Sequence, residues 1–349
     1  MRRNLFPSFG LAVILILAIS TSSCMASQAQ TEQEYKKIKV IDFINGFQGD
    51  KSFFDSAVRG ISRAEADFGL DVKTIEASYD PALWQSALES AASHEDYDIL
   101  IAGTEQISPI LQAVAAKHPA KKFILYDGEV NYTACDCRNV YSIRYKQNEG
   151  SYLAGEYAAL MSKSKIIGVI GGQNVSIIND FIVGYEQGAE DTKPDIKVLK
   201  SYSGSWNDPA MGRKLALEMF RQGADIIFQV AGNTGMGVFQ AAQESGGYAI
   251  GVDSDQALLL EDTEPEQARL ILTSMMKNVD NSLYRALKLY REGRLPFGQT
   301  EYLGLKEGGV GLARNKYYQE ATPSEVKLKV DEAERDIVEG KITVKAAKP

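Results

Sequence analysis

From residue 38 onward, short apolar runs alternate with amphipathic segments to the end of the chain, and this rhythm limits the chain to an α/β fold. The apolar runs predict strands over 39–45, 98–102, 123–126, 140–143, 166–170, 196–199, 225–230 and 248–252. Helices are predicted between them. The stretch 56–68 places Ala57, Ile61, Ala64 and Phe68 on one face. Asp80-Pro81, Ser108-Pro109 and Asp208-Pro209 each read as a helix cap followed by Pro, whose missing N–H costs nothing in a first turn. Trp84, Ala87, Leu88, Ala91 and Ala92 form the expected buried stripe behind the first of these. Further helices are expected over 151–161, 181–190 and 236–244. A capping box at Thr322-Pro323-Ser324-Glu325 is expected to start a last helix with Val326, Val330, Ala333 and Ile337 inward. Strands that alternate with helices form parallel sheets covered on both faces.

The first residues set the compartment. Arg2 and Arg3 precede an apolar run from Phe9 to Ile19, then Ser20, Thr21, Ser22, Ser23 and Cys24. This is the layout of an export signal over 1–23, too short to serve as a permanent membrane span. A Cys directly after small residues makes Cys24 the expected lipidation site, with an ordinary cleaved signal as the alternative. The polar residues of 24–37 suit a tether between lipid and domain. Removing 23 residues from 349 leaves 326, more than one hydrophobic core usually organises, so two lobes are expected. A formal net charge of −8 argues against nucleic acid as a partner. Cys135 and Cys137 read either as a disulfide of an oxidising compartment or as two loop thiols. With His94 and His118 the only histidines, a metal centre has too few ligands and acid–base chemistry few candidates. No Gly-x-Ser-x-Gly elbow or phosphate-cradling loop is present, so neither an enzyme nor a cofactor is expected.

In open α/β sheets, ligands sit beyond the carboxyl ends of strands. The residues there include Asp127 and Asp253, neither followed by the Pro that marks a helix cap, together with Phe53, Phe54, Trp206 and Lys277. Asp42 lies within the first strand.

These residues belong to a longer series. It comprises Asp50-Lys51-Ser52-Phe53 with Ser56-Ala57 and Gly60, Leu153-Ala154-Gly155 with Ala158-Ala159, and Gly171-Gly172. It continues through Phe181 with Gly184-Tyr185 and Gly188, Trp206-Asn207-Asp208-Pro209 with Gly212, Gly223-Ala224-Asp225 and Gly235-Met236-Gly237. It ends in Gly251-Val252-Asp253-Ser254-Asp255-Gln256 and Ser274 with Lys277. In this series, from about residue 38 to about 345, the chain resembles the basic membrane protein family of bacterial lipoproteins. Its best-understood members are purine nucleoside receptors of ABC transport systems. The resemblance implies a type I periplasmic-binding-protein fold, monomeric, with a three-stranded hinge. The lobes would be 38–144 with 275–302 and 145–274 with 303–349. It also implies a base stacked between Phe53 and Trp206, with Phe181 in the same cleft. Asp253 and Lys277 would hold ribose hydroxyls, and Asp42 and Asp127 would line the cleft. Base stacking on an aromatic ring is worth roughly 1–3 kcal/mol and tolerates many bases.

One position departs from the family pattern. Phe54 stands where the family usually carries Asn, and a phenyl ring neither donates nor accepts. Either the pocket takes a broader set of bases, a pyrimidine or a different aromatic ligand, or Phe54 only fills space and Asp127 alone reads the base. The expected function is delivery of a nucleoside, of purine type in the best-understood members, to an ABC permease from a lipid-anchored position on the outer side of a membrane. The alternative is a surface or sensor lipoprotein of the same fold that binds another hydroxylated aromatic ligand and feeds no transporter.

Overall fold

The computed structural model describes residues 37–347. The expected signal, tether and lipidation site at Cys24 lie outside the described residues. The first half contains β1 (Lys39–Ile44), α1 (Phe53–Phe68), β2 (Asp71–Glu76), α2 (Pro81–His94), β3 (Ile99–Gly103), α3 (Ser108–Lys117), β4 (Lys122–Tyr126) and β5 (Val140–Tyr145). The second half contains α4 (Gln147–Met161), β6 (Ile166–Gly171), α5 (Ser176–Thr192), β7 (Lys197–Tyr202), α6 (Pro209–Arg221) and β8 (Ile226–Val230). It continues with α7 (Met236–Ser245), β9 (Tyr248–Asp253), α8 (Gln256–Leu260), α9 (Pro265–Ala268) and β10 (Ile271–Lys277). The chain then returns through α10 (Val279–Arg291) and β11 (Gln299–Leu303). It ends with β12 (Val310–Leu312), α11 (Lys316–Ala321) and α12 (Ser324–Val338).

Two six-stranded sheets result, ordered β11-β5-β4-β3-β1-β2 and β12-β10-β9-β8-β6-β7. Among the described residues every pairing is parallel except β10 with β12. The chain passes between sheets three times: after Tyr145, after Lys277 and after Leu303. The expected boundary at residue 275 falls inside β10, which belongs to the second sheet through Lys277.

The central strands β3 and β8 are buried at every position, as a sheet covered on both faces requires. The edge strand β2 alternates charge and half-burial along Asp71–Glu76, so it offers no apolar run and the sequence pattern misses it. Asp80 and Asp208 cap α2 and α6 as expected, accepting from Ala82 N–H and Met211 N–H. Two other caps differ. Ser108 is already helical and donates to the Thr104 carbonyl, while Thr322 shares a hydrogen bond with the Tyr157 hydroxyl instead of closing a capping box. The Ser108 partner is local, four residues back along the chain, whereas a tertiary partner claims the Thr322 hydroxyl. Cys135 and Cys137 form a disulfide. No metal-ligating cluster exists among the described residues.

Candidate functional site

Both sheets aim their strand ends at one cavity of about 760 Å³, counting its opening to solvent. From the first half, Phe53 and Phe54 reach it on the first turn of α1. Asp127 follows β4 directly. From the second half come Phe181 on α5, Trp206 from the loop before α6, and Asp253 and Lys277 at the ends of β9 and β10. Seven of the eight expected site residues therefore line one space.

The eighth, Asp42, does not line it. Asp42 sits two residues inside β1, between Thr74 of β2 and Ile101 of β3, whereas the cavity begins beyond the strand ends. The residue that reaches the cavity from this strand is Asn45, one position past β1. Asn45 Nδ2 donates to Thr104 Oγ1 at 2.9 Å, and Thr104 itself follows β3 directly. Asp42 is buried in the sheet, and burial pushes its carboxyl up to about 7, with the nearby Glu76 charge adding to the rise. The folded form then holds this proton over a window from about pH 4 to about 7 in which the unfolded chain has released it. Stability from Asp42 therefore falls as pH rises, by on the order of 2 kcal/mol between about pH 5.5 and 8. Urea unfolding of wild type and Asp42→Asn at both pH values should show the variant with the smaller loss. Equal losses would remove Asp42 as the titrating group.

The backbone at the cavity is unusual. Thr104, Asp127 and Asp253 each follow a strand or end one, and each has a positive φ, of 85°, 55° and 62°. Such conformations cost of order 1–3 kcal/mol for residues other than glycine and cluster where function requires them. Asp bears this better than most residues, because its short side chain makes local hydrogen bonds.

Charges in the cavity are paired across the halves. Lys277 Nζ donates to both Asp127 carboxylate oxygens, at 2.9 and 2.8 Å, with both side chains buried. Its ammonium also lies 4.7 Å from the Phe181 ring centre, within range of an attractive cation–π contact. Asp253 accepts from Ser52 Oγ at 2.6 Å, and Ser254 Oγ donates to the Ser52 carbonyl at 2.9 Å. Burial pushes the Asp253 carboxyl up, resisted by the Lys277 cation and the Ser52 hydroxyl. Asp50 organises the loop before α1 by accepting from the N–H groups of Ser52, Phe54 and Asp55. Burial nevertheless raises Asp50 to about 6.

The cavity walls are largely aromatic. The Phe53 ring stacks on Tyr126 at 5.3 Å and meets the edge of Phe54 at 5.3 Å. Trp206 lies against Gly172, where an added Cβ would come within 2.3 Å of the indole. Tyr79 and Trp84 complete the wall on the side of Phe54. Sequence reasoning missed Tyr79 because it follows the overlooked β2, and it assigned Trp84 to the core. Asn45 and Thr104 were within reach of the strand-end rule. An apolar wall with a few convergent polar groups suits capture of a flat, hydroxylated small molecule.

Comparison with known proteins places this geometry. The family model described as "ABC transporter substrate-binding protein PnrA-like" matches residues 37–348. Basic membrane protein D of Borreliella burgdorferi (strain JD1) is 34% identical over 311 residues, covering 88% of this chain and 85% of that protein. The Lactococcus lactis protein named ABC transporter nucleoside-binding protein BmpA is 30% identical and covers 97% of both chains. The crystal structure of an ABC transporter solute-binding protein from Aeropyrum pernix superposes with a TM-score of 0.79 at 26% identity. It covers 89% of this chain and 94% of its own. No described helix is long and apolar enough to cross a membrane. A two-sheet chain whose strand ends converge on one aromatic cavity, matched over nearly its whole described length, belongs to the Bmp family of PnrA-like ABC transporter substrate-binding proteins.

Proposed function

We propose that this protein captures a nucleoside in the cavity between its two halves and delivers it to the permease of an ABC importer. The observation that carries this reading is the meeting, in one cavity, of Phe53 and Trp206 with the buried Asp253 and Lys277. Flat aromatic surface from both halves suits a base. A buried carboxylate accepts two hydroxyl donors at once, as a ribose diol offers. The nucleoside-binding name of the Lactococcus lactis relative supports the same ligand class. In this reading, 37–145 with 278–303 and 146–277 with 304–347 act as two lobes that bend about the three crossings, and the protein works as a monomer. Lipid on Cys24 holds it at the outer face of a membrane.

Titration calorimetry on the chain from residue 25 onward tests the ligand. At least one ribonucleoside should release heat, and its 2′-deoxy form should bind at least about 100-fold more weakly, because it leaves a buried carboxylate unpaired. Absence of heat with all common ribonucleosides would refute the reading. Mass spectrometry of the small molecule retained on native purification would name the base.

A further inference from the structure

The amino end of α5 opens on the cavity through Val175, Ile177 and Ile178. This 17-residue helix begins after Val175, whose side chain cannot cap it. The cap comes from the opposite lobe: Glu105 Oε2 accepts from the Ile177 N–H at 3.3 Å. Next to it, Gln106 Nε2 donates to Gln173 Oε1 at 3.1 Å, again across the lobes. Glu105 also lines the cavity, with Asp50, Asp127 and Asp253, and among the described residues Lys277 is the one cation that faces them there. Lys277 is already engaged by Asp127.

We propose that Glu105 is a specificity-determining residue that excludes phosphorylated ligands. A helix amino end is the natural seat for a phosphate, through its unpaired N–H groups and its positive dipole end. Here a resident carboxylate holds that seat when the lobes meet. A nucleotide would have to displace Glu105 and place its own charge among four carboxyl groups. A nucleoside does neither. The ligand class rests on the nucleoside reading above; the occupancy of the α5 amino end does not.

The test uses adenosine, guanosine, cytidine and uridine, each with its 5′-monophosphate, against wild type, Glu105→Gln and Glu105→Ala. For the nucleoside that binds, the wild-type preference over its monophosphate should shrink roughly tenfold or more in both variants. Nucleoside affinity should fall by no more than roughly tenfold, the cost of the one long interlobe hydrogen bond lost with the carboxylate, so the readout is the preference and not the affinity. An unaltered preference in both variants would overturn the proposal. A second arm needs no nucleoside: inorganic phosphate at constant ionic strength should raise the thermal midpoint of Glu105→Ala more than that of wild type. Equal shifts would overturn it even if no nucleoside binds, an outcome that by itself counts only against the ligand reading.

Discussion

An Asp253→Ala variant is expected to lose ribonucleoside binding by at least about 100-fold while remaining folded. The reasoning starts from position. Asp253 ends β9 in a left-handed conformation that directs it into the cavity, where it is 7% exposed. One of its oxygens is held by the Ser52 hydroxyl from the other lobe. Removing the carboxylate deletes the proposed diol acceptor and also one bond that joins the lobes. The two losses separate in a pair of controls. Ser52→Ala removes the interlobe hydroxyl contacts but keeps the carboxylate, and should cost roughly ten- to a hundredfold, in line with one neutral-to-charged hydrogen bond, while the preference for the ribose form stays. Asp253→Asn keeps the shape but brings an amide in place of two acceptors, and should lie near the Ala variant. Calorimetry with the ribonucleoside and its 2′-deoxy form checks the assignment. In Asp253→Ala the two ligands should bind alike, because the group that told them apart is gone. A variant that still prefers the ribose form would move the diol site elsewhere, Lys277 being the next candidate.

Much of this was legible in the sequence because parallel sheets are. Strands buried on both faces must be continuous apolar runs, and β3, β4, β6, β8 and β9 all announce themselves that way. Asp80 and Asp208 are legible for a local reason: cap and first turn are neighbours in sequence. What stays hidden is set by distant partners. β2 is an edge strand with exposed charge, so its identity rests on pairing with β1 rather than on its own pattern. Thr322 follows a cap rule on paper but bonds Tyr157, 165 positions away. Asp42 and Asn45 differ by three residues, yet only the second lies past the strand end. Strand boundaries are the least certain feature of a sequence pattern, so a site read from strand ends inherits that error. The pairing of Lys277 with Asp127, 150 positions away, could not be read locally.

Gly188→Ala is expected to destabilise the protein by about 3 kcal/mol or more, and to weaken the cavity with it. Helices α4 and α5 approach until backbone meets backbone. A Cβ at Gly188 would stand 2.0 Å from the Tyr152 carbonyl oxygen, and one at Gly184 would stand 2.2 Å from that of Asn148. From the other helix, a Cβ at Gly155 would stand 2.0 Å from the Tyr185 carbonyl oxygen. The glycines at 184 and 188 are one turn apart and meet residues one turn apart, so the contact is a row rather than a point. A side chain in the way could rotate aside; a carbonyl of a neighbouring helix can move only with its helix. The better helix propensity of Ala returns at most about 1 kcal/mol. The thermal midpoint should fall by roughly 4 °C or more. Gly311→Ala in β12, where a Cβ meets nothing within 4 Å, is the control expected to leave it unchanged. The effect should reach the ligand as well. α4 begins just after the first crossing between lobes, and α5 carries Phe181, Ile177 and Ile178 to the cavity. Forcing these helices apart shifts one aromatic wall relative to Asp253. Ligand affinity should therefore drop together with stability. A Gly188→Ala protein with an unchanged midpoint would show that α4 and α5 can part without cost, and that this row of glycines is not what sets the spacing of the second lobe.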